Sequence, residues 1–476
     1  MKITFIYPDI QPQFRFWKGY YYSGIGSLSS FLKLHGHKTS LIHITKLMDK
    51  ETFIKHIFQE SPDLIGFSST QHVFPIVKKL ARWIKEEKIQ LPVICGGIYP
   101  TLNPNETINT EGIDMICRGE GEEPLCELCT NIEKGRNIKK VSNIWYKYHK
   151  TIYKNPLKQP CHDLSNLPFP DRTIFKYRNL FNENQGYATV MVSRGCPYQC
   201  SYCCNQALRN IYDQKVKYTR FRSIDSAISE IKKILRDFPF IQAIHFDDDI
   251  LFLNESWGNA FFSRYKDEVG VPFRCNARPN LLNKKRIELM SEAGCIEVAI
   301  GLESGNDHIR NKILKRNLSR DQIKNASHLC KNSKIHIKSF NMVGIPYEDT
   351  RAVLETIKLN AEIGVEEIQT TIFQPYKGTS LFDLCLEKGL LTNEELSFDF
   401  FSPAPLLLNS ITPEQILMFR DYFKVFVGIY KILYALPRSI SGFLIKSSDK
   451  MLSSKYISKF LNKIYIPMNY LYRLIQ

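Results

Sequence analysis

The sequence predicts an α/β protein: a doubly wound parallel sheet, then a partial barrel of six strand-helix units, then a helical tail. Three observations carry this reading. Short apolar runs alternate with amphipathic stretches of helix length over the first 130 or so residues. The alternation breaks in the proline-rich stretch PLKQPCHDLSNLPFPDR, and it resumes from about 187 to 395. Strands separated by helices pair in parallel through right-handed crossovers, and such sheets bind ligands on loops outside the carboxyl ends of their strands.

The first series opens with a strand over Lys2–Tyr7 and a helical stripe over Ile25–Leu34 that stops at Gly36. Strands follow at Leu41–Ile44, Leu64–Ser68 and Val93–Cys95, with a helix over about Pro75–Lys88 before the last, which runs straight into Gly96-Gly97. Met115–Cys117 is a fifth strand and Glu122–Glu133 a helix. Val141–Tyr153 reads as a hairpin inside a linker, 136–186, whose prolines oppose a long regular element. In the second series the strands are Thr189–Ser193, Ala243–Phe246, Phe273–Asn276, Val298–Gly301, His336–Val343 and Glu367–Phe373, with helices such as Ser226–Asp237, Lys284–Ala293 and Thr350–Ile363 between them. Six units are too few to close an eight-fold barrel, so a partial TIM-like barrel is expected, with its chemistry on the loops at the strand ends. The expected domains are 1–135, the linker 136–186, 187–395, and a basic helical region 396–476.

Composition narrows the class. With 476 residues, 43% hydrophobic and 24% charged, the chain has ample core and is not disordered. The longest uncharged stretch, Ile89–Asn105, holds three prolines and two glycines, so no membrane-spanning helix is expected. The start, MKITFIYPDI, lacks the apolar run and cleavage site of a signal peptide, and a cytoplasmic protein is expected. There, 13 cysteines are buried residues, metal ligands or redox groups rather than a disulfide framework.

Spacing singles out one group of them. In MVSRGCPYQCSYCCNQ, Cys196, Cys200 and Cys203 form C-x3-C-x2-C directly after the first strand of the second series. Three thiolates on one loop suit three irons of a cubane cluster, leaving the fourth iron open. Zinc is the structural alternative, though it usually takes four protein ligands. Cys204, adjacent to Cys203, reads as a packed thiol, and Cys126 and Cys129 fall inside a helix, where core packing suits them.

The cysteine loop resembles that of the radical S-adenosylmethionine (SAM) enzymes, C-x3-C-x-aromatic-C, with Tyr202 in the aromatic slot that the family sets against adenine. Further segments match the family's strand ends in order: HFDDDILFLN, FRCNARPNLL with Arg278, AGCIEVAIGLESGND, VGIPYEDT and FQPYKGTSL. The resemblance covers about 200 residues and implies SAM contacts from Tyr202, Asp247, Asp248, Glu303, Ser304, Gly344 and Pro375. The family's frequent Gly-Gly-Glu is absent at the second strand end, where Asp247, Asp248 and Asp249 stand instead. Upstream, DLIGFSSTQ, VICGGIYPT and DMICRGEGEEPLCEL resemble the flavodoxin- or Rossmann-like cobalamin (B12)-binding domains fused to one branch of this family. This implies cobalamin contacts from Ser68, Ser69, Thr70, Gly96 and Gly97. The Asp-x-His-x-x-Gly of cobalamin mutases is missing, so no histidine ligand to cobalt is expected from that position; His72 reads as a surface or hydrogen-bonding loop residue.

The resemblance implies a [4Fe–4S] cluster, SAM and cobalamin as cofactors. Cleavage of SAM to a 5′-deoxyadenosyl radical is then expected, followed by methylation of an unactivated carbon of a small-molecule, lipid or peptide substrate. Electrons would come from a donor such as flavodoxin or ferredoxin. The rivals are a non-methylating oxidase, cyclase or rearrangement enzyme of the same branch, and a methylthiotransferase or other RNA-modifying enzyme. Net charge +16 would serve nucleic acid. Yet the first 150 residues hold 20 basic against 15 acidic side chains, and no RNA-binding module is appended, so nucleic acid is not an expected partner. Residues 411–476 hold 10 basic and 3 acidic ones. Leu452, Tyr456, Phe460 and Ile464 recur there beside Lys455, Lys459 and Lys463, the pattern of a helix lying on a membrane surface.

Overall fold

The computed structural model describes residues 1–11, 16–149, 151–213, 216–392 and 406–464, and divides into two compact units, each taken by itself below. The first comprises Met1–Pro197 and Cys204–His245, the second Tyr198–Cys203 and Phe246–Gln476.

The first unit begins β1 (Lys2–Pro8), α1 (Ser23–Leu34), β2 (Lys38–Ile44), α2 (Lys50–Glu60), β3 (Leu64–Ser68), α3 (Phe74–Glu86) and β4 (Val93–Gly96). It continues with α4 (Ile98–Leu102), α5 (Pro104–Asn109), β5 (Met115–Cys117), α6 (Glu122–Glu133), and the hairpin β6 (Ile144–Tyr148) and β7 (Thr151–Lys154). Its sheet runs β2-β1-β3-β4-β5-β6-β7, parallel from β2 to β5. Parallel strands buried on both faces read as continuous apolar runs, and β3, LIGFS, lies within one residue of full burial. The core between sheet and helices joins Ile6, Phe53, Ile65, Phe67, Leu80 and Ile116.

Two elements depart from expectation. β2 starts at Lys38, because pairing of Lys2–Thr4 with Lys38–Ser40 carries the polar KTS into the ladder. The hairpin is not confined to a linker: β6 pairs antiparallel with β5, Ile116 opposite Trp145, and covers what would be an open sheet edge. The remainder of this unit is β8 (Tyr187–Val190), β9 (Ser193–Arg194), α7 (Cys204–Asn210), β10 (Arg220–Phe221), α8 (Ile224–Asp237) and β11 (Ala243–Phe246), whose last residue belongs to the second unit.

The second unit runs α9 (Glu255–Glu268), β12 (Phe273–Ala277), α10 (Lys284–Glu292), β13 (Cys295–Glu303), α11 (Arg320–Asn332), β14 (His336–Val343), α12 (Thr350–Ile363), β15 (Glu367–Ile372) and α13 (Ser380–Glu387). The strand order of the second sheet is β15-β14-β13-β12-β11-β8, a partial barrel, and the pairs from β12 to β15 are all parallel. β13 is longer than its apolar run predicts: a register irregularity between Gly301 and Glu303 carries it past the glycine. Helix ends are capped by side chains, as where Asp349 accepts from the Ala352 amide at the start of α12 and Gly364 closes its end at φ 62°.

The tail holds α14 (Pro413–Ala435) and α15 (Arg438–Leu452), with 455–464 again helical. α14 opens with a capping box, Thr412 with Gln415, and Pro413 in its first turn. Leu452 departs from the expected exposed stripe: it is 2% exposed and packs inward. No helix among the described residues is long and apolar enough to cross a membrane.

Candidate functional site

In the first unit the residues singled out from the sequence gather at the carboxyl ends of β3 and β4. The Ser69 amide donates to the Gly96 carbonyl at 2.9 Å, and the Tyr99 amide to the Ser69 carbonyl at 3.1 Å. Gly97, at φ 105°, passes so close that a Cβ there would lie 2.7 Å from the Ser69 oxygen. Only glycine fits. Gly96 is different, since its nearest neighbour to such a Cβ would be 3.7 Å away. Ser69 is buried, Ser68 and Thr70 half-buried, and the Ser68 side chain shares a hydrogen bond with Tyr22, which stacks on Tyr7 at 5.0 Å. No sequence pattern marks these two aromatic rings. His72 is buried, which removes the surface half of the expectation and leaves the hydrogen-bonding half.

The RGEGE segment is built into the entry of the cysteine loop. The Glu122 carboxylate accepts from Ser27 Oγ at 2.6 Å and from Arg194 Nη2 at 2.6 Å. Burial pushes Glu122 up, but the Arg194 charge and these hydrogen bonds more than reverse it, leaving its carboxyl at about 2. Glu120 pairs with Arg194 at 3.3 Å and with Arg220 at 2.8 Å, while Arg118 stacks on Trp145 at 4.9 Å. Arg194 and Arg220 sit opposite each other on β9 and β10. The segment is therefore more than a helix cap: its carboxylates hold the strand that leads to Cys196.

The three cysteines lie on one loop between β9 and α7. Cys200 is buried, Cys196 and Cys203 half-buried, and none of the three is in a disulfide, nor is the half-buried Cys204. Among the described residues no three His, Cys, Asp or Glu side chains converge on a single metal ion. A cubane does not ask for that, because each thiolate binds a different iron. The donor set, three thiols outside any disulfide on a loop only partly shielded, fits a cluster.

In the second unit the loop is fixed by its own backbone. The Ser201 amide donates to the Leu314 carbonyl at 3.0 Å and the Leu381 amide to the Ser201 carbonyl at 2.9 Å. Tyr202 packs on a core of Ile309, Leu314, Met342, Ile345 and Phe373. Its hydroxyl donates to Glu303 Oε1 at 3.3 Å, and Arg316, buried, donates to the Tyr202 hydroxyl and to the Gly301 carbonyl at 2.6 Å. Burial pushes the Glu303 carboxyl above the usual range, with Arg316 and Tyr202 offsetting part of that. Glu303 sits at φ 63°, a strained conformation for a non-glycine residue, of the kind that collects at functional sites. A Cβ on Gly301 would lie 2.6 Å from Glu303 Oε1, so the glycine leaves room for the pair. Arg316 carries no sequence signal; it follows the helical turn Ile309–Ile313 and meets Glu303 and the Gly301 carbonyl at the irregular end of β13.

The other SAM candidates are placed unevenly. Asp247 and Asp249 are exposed and Asp247 accepts from Asn276 at 3.3 Å, while Asp248 is fully buried. Ser304 is buried, its hydroxyl accepting the Asn306 amide at 3.3 Å and its carbonyl the Arg310 guanidinium at 3.0 Å. At the end of β14 the Gly344 amide donates to Glu348 at 2.8 Å. Glu348, missed from the sequence, is buried and its carboxyl is pushed up to about 8 by burial. Pro375 is buried in the turn after β15.

Known proteins resemble both units. Residues 190–359 match the radical SAM superfamily and 20–129 the B12 binding domain. An uncharacterized methyltransferase of Pyrococcus horikoshii is 26% identical over 408 residues, covering 84% of this chain and 86% of its own. An anaerobic magnesium-protoporphyrin IX monomethyl ester cyclase of Rubrivivax gelatinosus is 23% identical, covering 85% and 73%. The solved cobalamin-dependent S-adenosylmethionine radical enzyme OxsB with aqua-cobalamin bound shares the fold at TM-score 0.69 and 17% identity, covering 98% of this chain and 75% of its own.

Proposed function

The chain is a radical SAM enzyme with an N-terminal B12-binding domain, and from that premise we propose that it methylates an unactivated carbon. One observation carries the reading: two cofactor domains in one chain. A radical source needs only SAM and an electron, so a second cofactor implies a second task. When bound, the [4Fe–4S] cluster with SAM supplies a carbon-centred radical, and cobalamin a transferable methyl group. Cys196, Cys200 and Cys203 hold the cluster in this reading. Tyr202 and the Glu303–Arg316 pair, with Ser304, Gly344, Pro375, Asp247 and Asp248, form the SAM side, although buried Asp248 reaches ligand only through its surroundings. Ser68, Ser69, Thr70, Gly96 and Gly97 form the cobalamin cradle, Gly97 letting the backbone approach a flat macrocycle. A flavodoxin- or ferredoxin-type donor supplies electrons.

Anaerobic purification followed by an absorption spectrum should show corrinoid and cluster bands together. With reductant, SAM and a methyl-accepting substrate, turnover should release S-adenosylhomocysteine and 5′-deoxyadenosine in near-equal amounts. Deoxyadenosine alone, with a product no heavier by a methyl group, would favour the second reading, a cyclase or other non-methylating enzyme, which the likeness to the Rubrivivax cyclase supports.

The tail of this enzyme rests on an anionic lipid surface in our reading. Phe443 is 73%, Tyr456 87% and Phe460 59% exposed, with Lys446, Lys450, Lys455, Lys459 and Lys463 beside them. Apolar exposure edged by lysines complements acidic headgroups. Flotation with phosphatidylserine vesicles at low salt should carry the protein upward, and substitution of Phe443 and Phe460 by Ser should leave it at the bottom. A wild-type chain that stays at the bottom overturns this.

A further inference from the structure

We propose that Arg278 sets the reduction potential of the cluster by placing its guanidinium on the Cys200 sulfur. The proposal rests on the reading that the cysteine loop holds a [4Fe–4S] cluster. Arg278 follows β12 directly and is 6% exposed. Its Nε donates to Asn280 Oδ1 at 2.7 Å, its Nη2 to the Arg316 carbonyl, and its Cζ lies over the Tyr198 ring, 3.8 Å from the centre. Asn280 in turn donates to the Tyr198 hydroxyl at 3.1 Å, which closes a frame around the guanidinium. What remains is Nη1, and it is directed at Cys200 Sγ, 3.9 Å away.

Charge balance gives this contact its meaning. Two other buried arginines of this unit have carboxylate partners, Arg316 with Glu303 and Arg310 with Asp307, while Arg286 donates to the Leu281 carbonyl and lies over the Phe252 ring. Among the described residues Arg278 has none; its acceptors are an amide, a carbonyl, an aromatic face and a sulfur. A buried cation without a counter-charge is strongly unfavourable. A cluster with three thiolate ligands is a net anion, and it gains one more negative charge when a low-potential donor delivers an electron. A cation hydrogen-bonded to a ligand sulfur stabilises the reduced form more than the oxidised one, and so raises the potential. Tyr198 and Asn280 are positioning residues, since they act only by holding the guanidinium.

The test uses the full chain, reconstituted anaerobically with iron and sulfide and free of SAM, in a potentiometric titration followed by electron paramagnetic resonance. Arg278→Gln should keep its iron while its reduction equilibrium falls at least tenfold, a drop of 59 mV for one electron. Asn280→Ala, which loosens the frame and leaves the charge, should fall in the same direction by less, and carries the test should Arg278→Gln lose its iron. An unchanged midpoint in these variants overturns the proposal. So does an unchanged midpoint joined to weaker SAM binding, which would make Arg278 a ligand of the SAM carboxylate. A wild-type chain that takes up no cluster would instead overturn the underlying reading, and the proposal with it.

Discussion

Replacing Glu122 with Gln probes the carboxylate clamp that leads into the cysteine loop. Glu122 is 6% exposed and its carboxyl falls from 4.5 to about 2 against Arg194 and Ser27. At 1.36 kcal/mol per pKa unit that difference amounts to ~3 kcal/mol of folding stability. The folded-state value is depressed, so the contribution is complete above 4.5 and drains away as pH falls through 2. At pH 3.5 roughly 2 kcal/mol of it should remain. Gln keeps an oxygen for Ser27 but surrenders the charge, leaving Arg194 with Glu120 alone. The assay is urea denaturation of the cluster-free chain, followed by fluorescence of Trp17, Trp83 and Trp145, all in the first unit. The gap between wild type and variant should be ~3 kcal/mol at pH 7 and narrow on acidification. A gap that ignores pH, or one under ~1 kcal/mol at pH 7, would show that the pair contributes no more than a surface ion pair.

Other perturbations have equally definite outcomes. Gly97→Ala forces a side chain onto the Ser69 carbonyl at φ 105°, and should cost roughly 1–3 kcal/mol and most of the corrinoid retained per chain, while Gly96→Ala keeps both. Gly301→Ala pushes only on the movable ends of Glu303 and Arg316, so SAM affinity should fall about tenfold, ~1.4 kcal/mol, by equilibrium dialysis with the melting temperature nearly unchanged. Changing Cys196, Cys200 and Cys203 together to Ala should remove the iron and the cluster absorbance, whereas Cys204→Ala should retain both.

Much of the architecture was legible because buried parallel strands are short, apolar and bounded by turn residues. β3, β5, β14, α6 and α12 begin and end where their apolar patterns do. β2 and β13 ran beyond theirs, since ladder pairing and a bulge recruit residues that no periodicity marks. The hairpin's sheet membership depended on a partner strand some thirty residues earlier. Strand-end motifs pointed to Glu303, Ser304 and Gly344, which stand at or just past the ends of β13 and β14, but three consecutive aspartates do not say which one turns inward; Asp248 does. Arg316, Glu348 and Tyr198 are ordinary in sequence. Burial, and the partners the fold brings to them, give them their roles.

The cysteine loop also has a history in time. Tyr198–Cys203 belongs to the unit made of residues 246 onward, although Pro197 before it and Cys204 after it belong to the other. On the ribosome, then, the thiols emerge well before the residues that receive them. Leu314, which binds Ser201, follows 111 positions after Cys203. At ordinary synthesis rates that interval is on the order of 5–20 s. Leu381 comes later still. Until both have arrived, the loop lacks at least one of the two backbone contacts that hold Ser201. Metal delivered earlier would meet a nascent peptide instead of a pocket. Cluster insertion that needs both contacts therefore has to wait until Leu381 has emerged, late in the synthesis of the second unit.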